Sequence, residues 1–239
     1  MNILITGGSK GLGSAIVEQL SGKADNHVYF TYYKSLEQAN VITKNHHNTT
    51  ALFCDFNDPE SVQELLVLLE NLDIDVLINN ATVSYEKNHF HKLGLNVFLD
   101  SFKVNILNTI TITQELIKSF RKKKQGKIIT ILSAATINKP PAGWAEYVAS
   151  KNYLRSLSKS WATENIRHNI TSNCVSPSFM LTDYNSNVDE RVIEDIVKTH
   201  PLKKLLTVKE VAFTVEFLTT CSAHINGVDI VMNAGQDLV

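Results

Sequence analysis

Short apolar runs alternate with longer amphipathic stretches along the whole 239-residue chain, and no other feature constrains its fold as tightly. Ile3-Leu4-Ile5-Thr6 reads as a strand and 14–20 as the helix after it. Residues 28–33, 51–54, 75–78, 127–132, 170–175 and 228–232 continue the strands, rich in β-branched and aromatic side chains. Between them, 37–45, 98–120, 147–164, 188–198 and 208–219 have helical periodicity, as has a helix opening at Asp58-Pro59-Glu60 with Asp58 as N-cap and Pro59 in its first turn. In that helix Val62, Leu65, Leu66 and Leu69 share one face. Strands alternating with helices predict an α/β fold, a doubly wound parallel sheet of Rossmann type, in one domain spanning 1–239. Ligands of such sheets bind beyond the carboxyl ends of the strands.

Composition narrows the function classes. The 23 basic and 24 acidic residues leave a net charge of −1, so no nucleic-acid partner is expected. Arg121-Lys122-Lys123-Lys124 is the longest basic run and reads first as a solvated helix end. Cys54, Cys174 and Cys221 are widely spaced and read as reduced, buried thiols, with no metal site among them or the histidines. No apolar run reaches membrane-spanning length and the first strand begins at Asn2, so a cytoplasmic protein without membrane contact is expected.

Four of the ten glycines fall in Thr6-Gly7-Gly8-Ser9-Lys10-Gly11-Leu12-Gly13, between the first strand and the first helix. Glycine there permits a tight turn and brings backbone N–H groups and a helix N-terminus up to a pyrophosphate. An NAD site would place an acid at the end of the second strand. Here that strand ends Tyr32-Tyr33-Lys34-Ser35, and Lys34, Ser35 and Lys10 are suited to a 2′-phosphate, which predicts NADP(H) over NAD(H). Asp55, with Phe56 after it, follows the third strand and reads either as an acceptor for an adenine amino group or as an Asx turn.

Tyr147 and Lys151 stand four apart and share a helix face. A nearby ammonium lowers a phenol's pKa and makes tyrosine a usable acid or base. Ser133 ends the fifth strand, where a hydroxyl is placed to hold a carbonyl oxygen. Asn105 lies inside a helical stretch, where asparagine is an indifferent former and implies a kink or a held water. Asn79-Asn80-Ala81 ends the fourth strand, where amides can tie neighbouring strand ends together.

With these residues the chain resembles the short-chain dehydrogenase/reductase family from end to end, most of all its 3-oxoacyl-[acyl-carrier-protein] reductases. The resemblance also rests on Pro177-Ser178-Phe179-Met180-Leu181-Thr182 and Asn233-Ala234-Gly235. It implies that Tyr147 is the general acid, that Ser133 orients the carbonyl, that Lys151 lowers the Tyr147 pKa and binds the nicotinamide ribose, and that Asn105 anchors a proton-relay water. It also implies that Pro177, Phe179 and Thr182 line the nicotinamide, with Thr182 on its carboxamide. Thr82 and Ser178 depart from it, standing where the family usually has glycine.

The reaction expected is reduction of a ketone, of the 3-oxoacyl thioester or polyketide type, with another small ketone, alcohol or sugar as alternative and a non-catalytic NADP-binding regulator as the reading of a different class. The substrate pocket is expected at Ala134, Pro140, Pro141, Trp144 and 180–198, with 188–198 as a lid. Arg121 to Lys124, with Arg167, is also a candidate docking site for an acidic carrier protein. A homodimer or homotetramer is implied by the resemblance.

Overall fold

The computed structural model describes residues 1–83, 87–137, 139–182 and 188–236. Strands β1 (Asn2–Ile5), β2 (His27–Tyr32), β3 (Thr49–Phe53), β4 (Val76–Asn79), β5 (Gly126–Ile131), β6 (Ile170–Pro177) and β7 (Asp229–Met232) form one sheet in the order β3-β2-β1-β4-β5-β6-β7. Every neighbouring pair is parallel. Helices α1 (Gly11–Ser21), α2 (Leu36–Asn45), α3 (Pro59–Glu70), α4 (Leu95–Ser101), α5 (Asn108–Lys123), α6 (Ala145–Asn165), α7 (Glu190–Thr199) and α8 (Val208–Thr220) complete the alternation. The expected doubly wound α/β architecture is the one observed.

The two faces of the sheet follow from the two-residue period of strand side chains. Ile3, Ile5, Val76 and Ile78 point to one face and pack with Ile16, Val17 and Leu20 of α1 and Val211, Val215 and Leu218 of α8. Leu4 and Leu77 point to the other and meet Leu65 and Leu69 of α3, Ile112, Leu116 and Phe120 of α5 and Trp161 of α6. Each such fully buried aliphatic side chain contributes about 1.5–3 kcal/mol. Asp58 caps α3 by accepting from the Glu60 N–H at 3.1 Å, with Pro59 in the first turn, as the sequence predicts.

The single helix expected over 98–120 is instead three pieces. Residues Phe102–Leu107 form a π-helical stretch between α4 and α5, and Asn105 lies in it. The wider turn lets its side chain reach out of the helix: Asn105 Oδ1 accepts from the Val83 N–H at 3.0 Å. Such π insertions recur at functional sites. β6 also runs two residues past the expected end, because Pro177 still pairs with Met232 and the Ser178 N–H donates to the Met232 carbonyl.

The strand order reverses between β1 and β4, and this switch point positions the site. Thr6 Oγ1 accepts from the N–H groups of Asn80 and Ala81, both at 3.0 Å. Asn80 Nδ2 returns bonds to the carbonyls of Thr6 and Gly7, both at 3.0 Å. The carboxyl ends of β1 and β4 are thus tied by side chains where ladder bonding stops.

Candidate active site

A cavity of about 1160 Å³ opens at the carboxyl ends of β1, β2, β4, β5 and β6. One end is the β1–α1 loop. Gly7 and Gly11 have positive φ, +66° and +55°. A Cβ on Gly7 would lie 3.0 Å from Ala81 Cα, and one on Gly13 only 2.0 Å from the Gly7 carbonyl oxygen. The first turn of α1 has no side-chain cap and no acidic residue, so its N–H groups and dipole are free to meet an anion. A glycine cradle that a Cβ would fill, beside an uncapped helix start, fits a dinucleotide pyrophosphate. Gly7, Lys10, Gly11, Leu12 and Gly13 line the cavity there.

The residues singled out at the β2 and β3 ends divide. Tyr33, Asp55 and Phe56 line the cavity. Asp55 makes the Asx turn, accepting from the Asn57 N–H at 2.9 Å, and its carboxylate raises the pKa of the Tyr33 phenol. Ser35 turns away from the cavity: its hydroxyl lies 2.5 Å from that of Ser9, and both serines are buried. The reason is local, since Ser35 precedes α2 but caps nothing with its side chain, leaving the hydroxyl to the glycine loop. Lys34 lies over the Tyr33 ring at 5.1 Å and is not part of the lining. Thr6 and Gly8 support the loop from behind, Thr6 through the bonds above and Gly8 against Phe30.

The catalytic candidates converge deeper in. Ser133 follows β5 and accepts from the Ala135 N–H at 3.2 Å, which fixes its rotamer toward the cavity. Tyr147 lines the same part of the cavity from α6. Lys151, buried one turn further along α6, donates to the Ile131 carbonyl at 3.0 Å, with its Nζ 5.8 Å from the Tyr147 ring centroid. Burial pushes the lysine pKa down to about 8, opposed by the charge of Glu146. Burial raises the Tyr147 pKa, the Ser133 hydroxyl opposes the rise, and the Glu146 carboxylate adds to it. Here the Lys151 ammonium is turned to the β5 carbonyl, and the Ser133 hydroxyl is a group that favours phenolate.

Asn105 does not itself line the cavity; it stands behind Val83, which does. Pro177, Phe179, Met180 and Thr182 line the cavity, and the Thr182 side chain lies 3.4 Å from where a Cβ of Gly11 would be. Thr82 and Ser178 also line it, and both hydroxyl oxygens are buried without a protein partner.

Of the expected pocket residues, Ala134, Pro141 and Trp144 line the cavity and Pro140 does not. Residues 183–187 lie outside the described residues. Beyond them Val188, Val192 and Ile196 turn into the cavity, so the helix expected as a lid presents an apolar face there. Ile137, Lys87 and Lys139 were not singled out from sequence; Lys87 lies 4.4 Å from the Trp144 ring centroid. The run at 121–124 closes α5, at the amino end of β5, about 20 Å of strand from Ser133. Two of its cations are engaged, Arg121 with Asn165 at 2.7 Å and Lys123 with Asp73 and Asp75. Cys54 and Cys174 are buried and free, their thiols pushed up to about 12 by burial. Among the described residues no cluster could hold a metal ion, and no helix is long and apolar enough to cross a membrane.

Residues 1–193, which carry every one of these features up to the start of α7, match the model of the short chain dehydrogenase family. The chain belongs to that family. This short-chain dehydrogenase is therefore an NAD(P)-dependent oxidoreductase. It is 30% identical over 236 residues to the 3-oxoacyl-[acyl-carrier-protein] reductase FabG of Haemophilus influenzae, covering 97% of this chain and 96% of that one. It is 27% identical to the reductase MabA of Mycobacterium bovis, covering 99% and 93%. Among solved structures, one assigned as a gluconate dehydrogenase from Agrobacterium tumefaciens superimposes with a TM-score of 0.91 at 24% identity, covering 100% and 96%. A structure from Beutenbergia cavernae assigned as an NAD(P)-dependent gluconate 5-dehydrogenase, with NADP bound at low occupancy, has the same TM-score at 21% identity, covering 98% and 96%. At those identities the two structures speak to the fold alone.

Proposed function

We propose that this dehydrogenase reduces a ketone to an alcohol with NADPH, the ketone being a 3-oxoacyl thioester or a related polyketide-type carbonyl. The observation that carries the reading is the convergence of Ser133, Tyr147 and buried Lys151 on the same cavity as the glycine cradle. The nicotinamide supplies the hydride. Gly7 to Gly13 receive the pyrophosphate, and Asn80, Ala81, Pro177, Phe179 and Thr182 border the nicotinamide and its ribose. Ser133 donates to the substrate carbonyl oxygen and Tyr147 delivers its proton there. Lys151 hydrogen-bonds the ribose and restores the proton of Tyr147, and Asn105 holds the β4 exit through Val83.

Preference for NADPH is supported by the absence of an acid from Tyr32-Tyr33-Lys34 and by Lys10 on the cavity wall. An acyl substrate is supported by the apolar Val188, Val192 and Ile196 in the cavity lining, and by the reductases among the relatives. Assembly into a homodimer or homotetramer is supported by exposed Leu95, Leu99, Phe102 and Leu107 along one helical stretch, with Tyr153 on the neighbouring α6. The test is oxidation of NADPH against a panel of 3-oxoacyl thioesters and diketones. Tight NADPH binding without turnover of any member would sink the reductase reading and leave a cofactor-binding regulator.

A further inference from the structure

Glu146 is the only carboxylate among the described residues that is buried to below a tenth of its surface, at 4% exposed. It stands in the first turn of α6, where a sequence reading takes a glutamate for a solvated charge favoured by the helix dipole. In the fold, the end of α4 covers it. Its Oε1 accepts from the hydroxyl of Ser101, the last residue of α4, and from Ser150 at 2.8 Å. The two serine oxygens are 3.0 Å apart. Ser101 Oγ in turn accepts from Asn105 Nδ2 at 3.2 Å, and Asn105 Oδ1 accepts from the Val83 N–H. An unbroken chain of hydrogen bonds thus runs from Glu146 to the cavity wall. It joins α6, which carries Tyr147 and Lys151, to the π-helical stretch that carries Asn105.

A tether alone would need only a neutral acceptor, yet the residue is a carboxylate and its Oε2 is buried without a partner. Burying a charge costs several kcal/mol unless an opposite charge offsets it. The charged side chains of the packed elements are few. Lys103 donates to the Asn57 carbonyl, Asp100 is exposed, and Lys87 lies on Trp144. That leaves Lys151, also buried, whose one described hydrogen bond goes to a neutral carbonyl.

We propose that Glu146 is a positioning residue for the catalytic pair: through Ser101 it fixes the Asn105 amide, and as a buried counter-charge it keeps Lys151 an ammonium. The inference rests on the reductase reading only for its effect on turnover. The sign follows from the charge. A carboxylate in this position raises the pKa of both Lys151 and Tyr147. Removing the charge while keeping the acceptor lowers both.

The test compares Glu146→Gln with Ser101→Ala. Ionisation of Tyr147 is read as the tyrosinate absorbance lost when Tyr147→Phe is added to each background. For Glu146→Gln the Tyr147 midpoint moves to lower pH, and the alkaline limb of the pH–kcat profile moves with it. Turnover just above the wild-type limb then falls several-fold while KM for NADPH is kept. For Ser101→Ala, which keeps the charge and breaks the tether, kcat falls and both midpoints stay. An unmoved Tyr147 midpoint in Glu146→Gln overturns the counter-charge, and wild-type kcat in Ser101→Ala overturns the tether. If the wild type turned over no substrate, the reductase reading would fail, while the absorbance titration would still decide the counter-charge. Should Glu146→Gln not fold, Glu146→Asp decides the same point: the retained charge keeps the wild-type midpoint, and a midpoint shifted down refutes it.

Discussion

Gly13→Ala puts the cofactor cradle to the sharpest test. Gly13 is the third residue of α1, and in an ordinary helix alanine in place of glycine stabilises by about 1 kcal/mol. Here the new Cβ would stand 2.0 Å from the Gly7 carbonyl oxygen and 2.7 Å from Asn80 Nδ2. A relaxed carbon–oxygen contact is about 3.3 Å, so the carbonyl would have to retreat by about 1.3 Å. It cannot do so freely, because Asn80 Nδ2 holds it at 3.0 Å. Overpacking of this kind costs about 1–3 kcal/mol, which overrides the helix propensity. Set against the helix gain, a net loss of about 1 kcal/mol corresponds to a Tm lower by about 2–4 °C in a chain of this size. The retreat also distorts the loop that meets the pyrophosphate, so NADPH affinity falls at least about tenfold, or 1.4 kcal/mol. Gly22→Ala is the control: Gly22 ends α1 at φ −62°, and its added Cβ would touch nothing closer than 3.4 Å. Denaturant unfolding and NADPH fluorescence titration of the two variants measure both effects. A Gly13→Ala protein as stable as Gly22→Ala, binding NADPH like the wild type, would refute the cradle.

Other perturbations follow from the same geometry. Tyr147→Phe loses roughly 10²–10⁴ in turnover and keeps NADPH binding; a fully active variant would refute the assigned acid. The wild type prefers NADPH, and Lys10→Ala reduces the preference more than Lys34→Ala, because only Lys10 lines the cavity; equal use of both cofactors by the wild type contradicts this. Burial works against the Asp75 carboxylate, but Lys123 and the Asn2 N–H outweigh it and leave the pKa below the usual value. A carboxyl lowered on folding stabilises above its unfolded pKa, about 3.9, and that stability is lost as pH falls through the lower folded value. Asp75→Asn therefore costs about 1 kcal/mol at neutral pH and flattens the acid limb of the stability profile, as chemical unfolding across pH 2–7 would register. In native protein Cys221 reacts with a maleimide before Cys54 and Cys174, whose thiols burial holds near 12; prior labelling of either would contradict that environment.

Periodicity made the sheet legible: Leu65 and Leu69 share a helix face and pack as that face requires, and Asp58-Pro59 marks the start of α3. The β1–α1 loop was legible because its residues are contiguous. Ser35 was misplaced because a rotamer decided between Ser9 and the cavity, and rotamers are not written in residue type. The helix over 98–120 hid a π-helical stretch, since its apolar spacing hardly changes when one turn widens; only Asn105 hinted at it.

Glu146 shows most plainly why part of the site could not be read. Its partners Ser101 and Asn105 lie 45 and 41 residues earlier, on a helix whose docking against α6 depends on the strand order β4-β5-β6. Sequence spacing relates Tyr147 to Lys151, because one helix carries both. No spacing relates either to Ser101. A first-turn glutamate is indistinguishable from a dipole-favoured surface charge until the covering helix is in place. Once it is, the same carboxylate is a desolvated charge that accepts from two serines, with Lys151 as its opposing charge. What a local reading of this fold can recover is therefore the part of the site that one loop or one helix carries whole. The part made by two helices meeting across the sheet's carboxyl edge needs the topology first, and the electrostatics of Tyr147 and Lys151 belong to that second part.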